Sequence, residues 1–74
     1  MDINDYRSIK AALEQDFCGG STEDGDLVTI GWGPYGSVRR TIYQKNGWAR
    51  SEYFHEDGTY EEMYERYEEI PVRC

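Results

Sequence analysis

The segment that decides the fold is VRRTIYQKNGWARSEYF, residues 38–54. Its two arms are rich in β-branched and aromatic residues, which favour strands. The dipeptide between the arms, Asn46-Gly47, is the strongest short signal for a hairpin, because these two residues tolerate the positive φ angles of a type I′ turn. The sequence therefore predicts antiparallel strands over residues 37–44 and 48–55, joined by a two-residue turn.

Outward from this hairpin, the nearest element is a further strand over residues 26–32, which the turn residues 33–36 connect to it. A two-residue turn at Asn46-Gly47 places Tyr43 opposite Arg50 and thereby sets the faces of the sheet. If the first hairpin closes symmetrically, three aromatic side chains share one face: Trp32, Tyr43 and Trp48. Two helices can cover only one face of a three-stranded sheet, so these residues are predicted to form an exposed surface for partner binding or self-association.

Residues 4–17 have the apolar period of an amphipathic helix. Four apolar side chains recur at steps of three and four residues: Tyr6, Ile9, Leu13 and Phe17. Asn4 or Asp5 can cap the start, and Gly19-Gly20 offers the left-handed residue with which helices often end. The sequence therefore predicts an N-terminal helix, followed by a polar loop over residues 19–26.

Residues 59–70 are predicted to form a second helix. Thr59 and Glu62 have the spacing of a capping box. An apolar arc follows at helical period: Tyr60, Met63, Tyr64, Tyr67 and Ile70. A competing interpretation continues the strand at 48–55 through an Asp57-Gly58 hairpin into a fourth strand. Adjacent like residues disrupt strand alternation there, at Glu61-Glu62 and Met63-Tyr64, so the helix is favoured.

Together these elements predict a single α+β domain over residues 1–74, in the order helix, three-stranded antiparallel sheet, helix. Five side chains are expected in its core: Tyr6, Leu13, Ile30, Tyr64 and Tyr67. A domain of 74 residues buries only about 60% of the surface that its unfolded chain exposes. A thin core supplies little packing around pre-organised catalytic groups, so the size favours a binding role over an enzymatic one.

Nearly all of the charge imbalance lies in the last third of the chain, whose formal net charge is −7. Residues 52–69 contain eight acids and a single base, Arg66, whereas the rest of the chain has seven of each. The acids of this segment other than Glu52 are the candidate partner-binding residues: Glu56, Asp57, Glu61, Glu62, Glu65, Glu68 and Glu69. Carboxylates on a rigid helix can imitate the phosphates of a nucleic acid and fit a basic groove. The alternative is a solvated helix face.

No motif in the chain indicates catalysis, a cofactor or a metal. Residues 31–38 match the glycine spacing of a dinucleotide-binding loop, but a strand follows them instead of the helix whose N-terminus would hold the pyrophosphate. A kinase glycine-rich loop would need further catalytic segments for which the chain has no length. His55-Glu56-Asp57 has no second histidine, and residues 23–26 lack the acid spacing of a calcium loop. We therefore expect no enzyme activity, no cofactor and no bound metal.

Direct nucleic-acid binding is not expected either. Arg39 and Arg40 lie close in sequence to aromatic residues, a combination typical of single-strand binders. Adjacent residues of a strand point to opposite faces, however, and a chain with a pI near 4.5 repels a phosphate backbone. The sequence instead predicts structural ion pairs for these arginines.

The chain has no pattern of export or membrane insertion. Its acidic and polar start lacks the basic residues and apolar stretch of a signal peptide, and no apolar run approaches the roughly 20 residues of a membrane helix. A cytoplasmic protein is expected. In that compartment Cys18 and Cys74 are predicted to be free thiols, with a disulfide between them as the alternative.

In size, in the acidity of residues 56–69, in aromatic content and in its lack of catalytic motifs, the chain resembles the small acidic inhibitors that phages and mobile elements encode, the anti-CRISPR and anti-restriction proteins. The resemblance implies stoichiometric binding to a defence effector or nuclease in the host cytoplasm, which blocks its basic nucleic-acid site or its assembly. The alternative function is a homo-oligomeric regulatory or structural module, such as a homodimer, that uses the aromatic sheet face.

Overall fold

A computed structural model describes residues 3–17 and 19–70 of the chain. A single sheet dominates it, in which five antiparallel strands follow one another in sequence order. The elements are α1 (Tyr6–Glu14), β1 (Gly19–Ser21), β2 (Leu27–Trp32), β3 (Val38–Tyr43), β4 (Trp48–Phe54) and β5 (Tyr60–Arg66). The predicted order of helix, three strands and helix is therefore wrong. Residues 60–66 form an edge strand instead of a second helix, and β1 adds a short strand at the other edge.

The N-terminal helix is confirmed, with Asp5 as its cap. The Asp5 carboxylate accepts a hydrogen bond from the Ser8 N–H (2.8 Å), and the Ser8 hydroxyl accepts one from the Asp5 N–H (3.1 Å). This reciprocal pair satisfies two N–H groups that the first turn of a helix leaves free. The helix ends at Glu14, earlier than predicted, and Asp16 then takes a left-handed backbone (φ 58°).

Helix α1 packs across β2 and β3 and forms the core with one face of the sheet. The buried cluster consists of Ile9, Ala12, Ile30 and Val38, bordered by the partly buried Ile3, Tyr6, Leu13, Phe17 and Phe54. Of the predicted core residues, Ile30 is buried and Tyr6 and Leu13 border the cluster. Tyr64 is 53% exposed and lies outside it. A nine-residue helix is too short to cover five strands, so the β5 end of this face stays uncovered.

The turn at Asn46-Gly47 has three residues instead of two. Gln44 donates its N–H to the Trp48 carbonyl (2.9 Å), Gly47 donates to the Gln44 carbonyl (3.2 Å), and only Gly47 of the loop is left-handed (φ 90°). This is the three-residue loop in which a left-handed glycine follows a type I turn. The register moves by one residue, so that Tyr43 faces Ala49 and not Arg50.

This shift also changes the faces of the sheet, because neighbouring strand residues point to opposite sides. We call the side that carries Val28, Ile30, Val38 and Ile42 the helix face, and the side that carries Arg39, Thr41, Tyr43, Ser51 and Tyr53 the open face. By this register Trp32 and Trp48 lie on the helix face and Tyr43 lies on the open face. The three aromatic residues that were predicted to share one surface therefore do not.

Strand β5 follows a tight turn that Asp57 organises. The Asp57 carboxylate accepts hydrogen bonds from the N–H (3.0 Å) and the hydroxyl (2.7 Å) of Thr59, while Gly58 takes a left-handed φ of 91°. Thr59 thus belongs to a hairpin and does not cap a helix. No residue of β5 is buried, so the strand has no need of the alternation that a half-buried strand shows. This explains why the like pairs Glu61-Glu62 and Met63-Tyr64 are compatible with it.

Candidate functional site

The candidate site is the surface formed by β5 and the residues on either side of it. We call its seven exposed acids the acidic edge: Glu56, Asp57, Glu61, Glu62, Glu65, Glu68 and Glu69. By the β4–β5 register, Glu61 and Glu65 lie on the open face of the sheet, and Glu62 lies on the helix face. The acids predicted to line one face of a helix are instead spread over both faces of a strand and the segments that flank it.

The charge of the acidic edge is weakly compensated. His55 Nε2 lies 2.9 Å from Glu61 Oε2. Arg66, the one base in residues 52–69, places its guanidinium over the Trp48 ring, 5.4 Å from the centroid. Within residues 3–17 and 19–70, no cation lies within ion-pair distance of the other acids of this edge. The edge therefore presents a concentrated negative field to solvent.

The backbone of β5 has a free side. At its two ends, His55 donates its N–H to the Thr59 carbonyl (3.0 Å) and Tyr67 donates to the Gly47 carbonyl (3.1 Å). Hydrogen-bonded pairs alternate along an antiparallel ladder, so the odd-numbered residues of β5 bond to β4. The N–H and C=O groups of the even-numbered residues point away from β4: Tyr60, Glu62, Tyr64 and Arg66. No described strand pairs with that side.

A buried carboxylate anchors β5 to the rest of the fold. Glu52, only 5% exposed, accepts hydrogen bonds from Arg40 Nε (2.7 Å) and from the Tyr60 hydroxyl (2.7 Å). Arg40 also donates to the Ile3 carbonyl (2.8 Å). Arg50 Nε lies 3.7 Å from the second Glu52 oxygen. One side chain on β4 thus connects β3, β5 and the segment before α1.

The pKa values of two groups of this cluster, Glu52 and Tyr60, are shifted by their surroundings. Burial opposes the charge of Glu52, but the hydrogen bonds from Arg40 and Tyr60 and the charges of Arg40 and Arg50 outweigh it and hold the Glu52 pKa below its ordinary value. The Tyr60 hydroxyl lies 2.7 Å from Glu52 and 2.7 Å from Glu62. Loss of solvent around this hydroxyl, followed by its hydrogen bonds to the two carboxylates and their charges, raises the Tyr60 pKa well above its ordinary value. At neutral pH the cluster therefore contains a carboxylate and a protonated phenol.

The open face carries a groove of about 470 Å³ that sequence reasoning did not predict. Thr41 and Ser51 lie at its floor with their hydroxyls 3.2 Å apart. Tyr43 and Tyr67 form one wall, with ring centroids 5.2 Å apart in an edge-on contact. Tyr67 reaches this position because its hydroxyl donates to the Gln44 carbonyl. It was predicted in the core on the second helix; it directly follows β5 and is half-buried against Tyr43 instead.

The two arginines of β3 have separate environments, as the alternation of a strand requires. Arg40 pairs with Glu52 on the helix face. Arg39 lies on the open face against Gly31, where a Cβ atom would come within 2.4 Å of its guanidinium. The predicted ion-pair role therefore applies to Arg40, with a strand carboxylate as its partner in place of the acidic helix.

The aromatic candidates differ in exposure as well as in face. Trp32 is 54% exposed at the end of β2, and Trp48 is 38% exposed at the start of β4. Tyr43 is half-buried against Tyr67. The common aromatic surface on which the self-association hypothesis depended is therefore not formed by these residues.

Among residues 3–17 and 19–70, no group of side chains has the composition of a metal site. In the same part of the chain, no helix combines the length and apolar content that a membrane crossing requires. Cys18 and Cys74, predicted to be free thiols, lie outside the described residues. Comparison of the chain with models of known protein families, with curated proteins and with solved structures gave no match.

Proposed function

We propose that this protein is a non-enzymatic inhibitor whose acidic edge binds the basic nucleic-acid-binding surface of another protein. The observation that carries the proposal is the exposure of seven acids beside a single base, on and around a strand in which no residue is buried. The remaining eight acids and seven bases of the chain nearly balance each other. The negative field thus has a defined place on the molecule, at one edge of the sheet.

The acidic edge offers several carboxylates to a basic groove. Successive strand residues advance by about 3.3 Å, so the three carboxylates of β5, Glu61, Glu62 and Glu65, lie within about 13 Å of strand. This linear charge density is lower than that of about one phosphate per 3.4 Å along one strand of DNA, and the acids on either side of β5 extend the negative surface. Arginine side chains of the partner can form paired hydrogen bonds with them, and long-range attraction accelerates the encounter.

The partner class that fits this chemistry is a defence effector or nuclease with a basic groove, met in the host cytoplasm. The proposal keeps the anti-CRISPR or anti-restriction role that the sequence suggests and moves its binding surface from a helix to a strand edge. It assigns no reaction to the chain.

The test is inhibition of DNA cleavage by a panel of CRISPR-associated nucleases and restriction endonucleases. We expect complete inhibition of at least one enzyme near a one-to-one ratio, with a potency that falls as salt rises, because exposed charges are screened. A double variant of the acidic edge, Glu65→Lys with Glu68→Lys, should require at least tenfold more protein at low salt.

A matched control separates position from net charge. Glu14→Lys with Glu23→Lys changes the net charge by the same amount at two exposed acids outside the acidic edge, and should inhibit like the wild type. Equal inhibition by the two double variants would show that the acidic edge is only a solvated surface. If no enzyme of the panel is inhibited, the assignment to defence nucleases is wrong.

A further inference from the structure

The outer side of β5 is an unpaired strand edge. Four of its residues direct their N–H and C=O groups away from β4, as described above, and the strand is seven residues long. The other edge of the sheet, β1, has only three residues. An exposed edge of this length is a template for pairing with a further strand.

We propose that an extended basic segment of the partner protein pairs with β5 as the sixth strand of the sheet. This inference rests on the proposed function and adds the mode of binding. Backbone hydrogen bonds to the even-numbered residues of β5 supply affinity, and the side chains on the two faces of β5 select the sequence of the segment.

Charge selects this occupant over a second copy of the chain. Two copies paired through β5 would bring together two acidic edges, each with seven exposed acids and one arginine. Charges of the same sign on neighbouring strands are destabilising. A segment rich in lysine or arginine reverses the sign of every one of these interactions.

The side chains of β5 also define the pattern of the segment. The open face presents Glu61, Met63 and Glu65 in line, and the helix face presents Tyr60, Glu62 and Tyr64. The complementary strand therefore has bases opposite the three glutamates and apolar residues opposite Met63 and Tyr64. In the direction of β5 this pattern is two adjacent bases, two apolar residues and a third base. A segment that pairs antiparallel to β5 therefore has, from its own N-terminus, one base, two apolar residues and two bases.

The probe is the heptapeptide Thr-Lys-Val-Val-Lys-Lys-Thr, acetylated and amidated. Its matched control replaces both valines with proline, which keeps the charge but removes two N–H donors and disfavours a strand. Amide hydrogen exchange, followed residue by residue by NMR, reports where each peptide binds. With the valine peptide we expect exchange of the Tyr60, Glu62 and Tyr64 amides to slow at least tenfold, and with the proline peptide to stay unchanged.

A pair of protein variants tests the same contact from the other side. Glu62→Pro removes an N–H that points away from β4, whereas Glu62→Gln removes the same charge and keeps the N–H. The proline variant should bind the valine peptide at least tenfold more weakly than the glutamine variant.

Three outcomes would overturn edge pairing. The two peptides could bind equally without slowing exchange; salt-dependent inhibition by the acidic edge would then still stand, and only the mode of binding would be wrong. The even-numbered amides could be protected without peptide, in proportion to protein concentration, which would identify a second copy as the occupant. The third outcome is that neither peptide binds.

Discussion

Glu52 connects three parts of the molecule through one carboxylate. It accepts hydrogen bonds from Arg40 on β3 and Tyr60 on β5, and Arg40 extends the contact to the segment before α1. A charge that is 5% exposed is tolerated only where such partners replace water. The stability of the β5 edge therefore depends on a residue that is itself not part of the binding surface.

Replacement of Glu52 should weaken the whole fold. Glu52→Gln keeps the shape of the side chain but removes the charge that Arg40 and Arg50 face, and we expect a loss of about 2 kcal/mol in the free energy of unfolding. Urea denaturation at pH 7 measures it. Glu14→Gln, at an exposed position, should change stability little. A loss below about 0.5 kcal/mol for Glu52→Gln would show that the cluster contributes only packing.

The depressed pKa of Glu52 predicts an acid-dependent part of the stability. A carboxyl whose pKa is lower in the folded than in the unfolded chain stabilises the fold above its unfolded pKa, near 4.5, and loses this contribution as the pH falls through the folded pKa. The wild type should therefore lose more stability between pH 5 and 2 than Glu52→Gln, as measured by thermal melting. Asp5 and Asp57, whose pKa values are also lowered, are present in both proteins. Parallel curves would contradict this account.

Among the elements, β5 has two kinds of residue: those whose N–H groups bond to β4 and those whose N–H groups point away from it. Met63→Pro removes an N–H that bonds to β4 and should cost about 2 kcal/mol or more. Glu62→Pro removes an N–H that points to solvent and should cost less than about 1 kcal/mol, because proline is tolerated at such edge positions. Urea denaturation of the two variants tests which N–H groups of β5 bond to β4. Equal losses would mean that the pairing differs from the one described.

The sequence predicts the elements that bury a face and fails where burial is missing. The amphipathic pattern of α1 and the β-branched arms of the central hairpin both reflect core packing, and both are found. No residue of β5 is buried, so its local pattern follows helix propensity, to which Glu and Met contribute. What makes it a strand is pairing with β4 and the hydrogen bond from Tyr60 to Glu52, eight residues earlier. Helix propensity and hydrophobic period take no account of either contact.

The same limit applies to the register and to the site. Asn46-Gly47 fits either a two-residue or a three-residue turn, and the choice decides which side chains share a face. Composition located the exposed acids of residues 56–69, because acids are costly to bury. It did not show that Glu52 is buried, since this burial depends on Arg40 and Tyr60. Nor could it identify the free backbone of β5, which depends on the strand order.

For the whole molecule, the acidic edge predicts a monomer. The free backbone groups of β5 and its exposed tyrosines, Tyr60 and Tyr64, favour self-association through this strand, but two copies would have to bring their acidic edges together to pair there. Sedimentation velocity at low salt should give the mass of a single chain, 8.7 kDa, over a hundredfold concentration range. A dimer at low salt would contradict this prediction and would favour the homo-oligomeric alternative.

The stacking of Arg66 on Trp48 gives the protein a built-in optical reporter. Trp48 lies opposite Arg66 in the β4–β5 register. The other tryptophan, Trp32, is the last residue of β2, which β3 separates from β4. Indole emission responds to the polarity and charge around the ring. A Trp32→Phe protein would therefore carry a single tryptophan, beside β5, and the emission of this indole, excited selectively over tyrosine, would follow occupancy of that strand in real time without any attached dye.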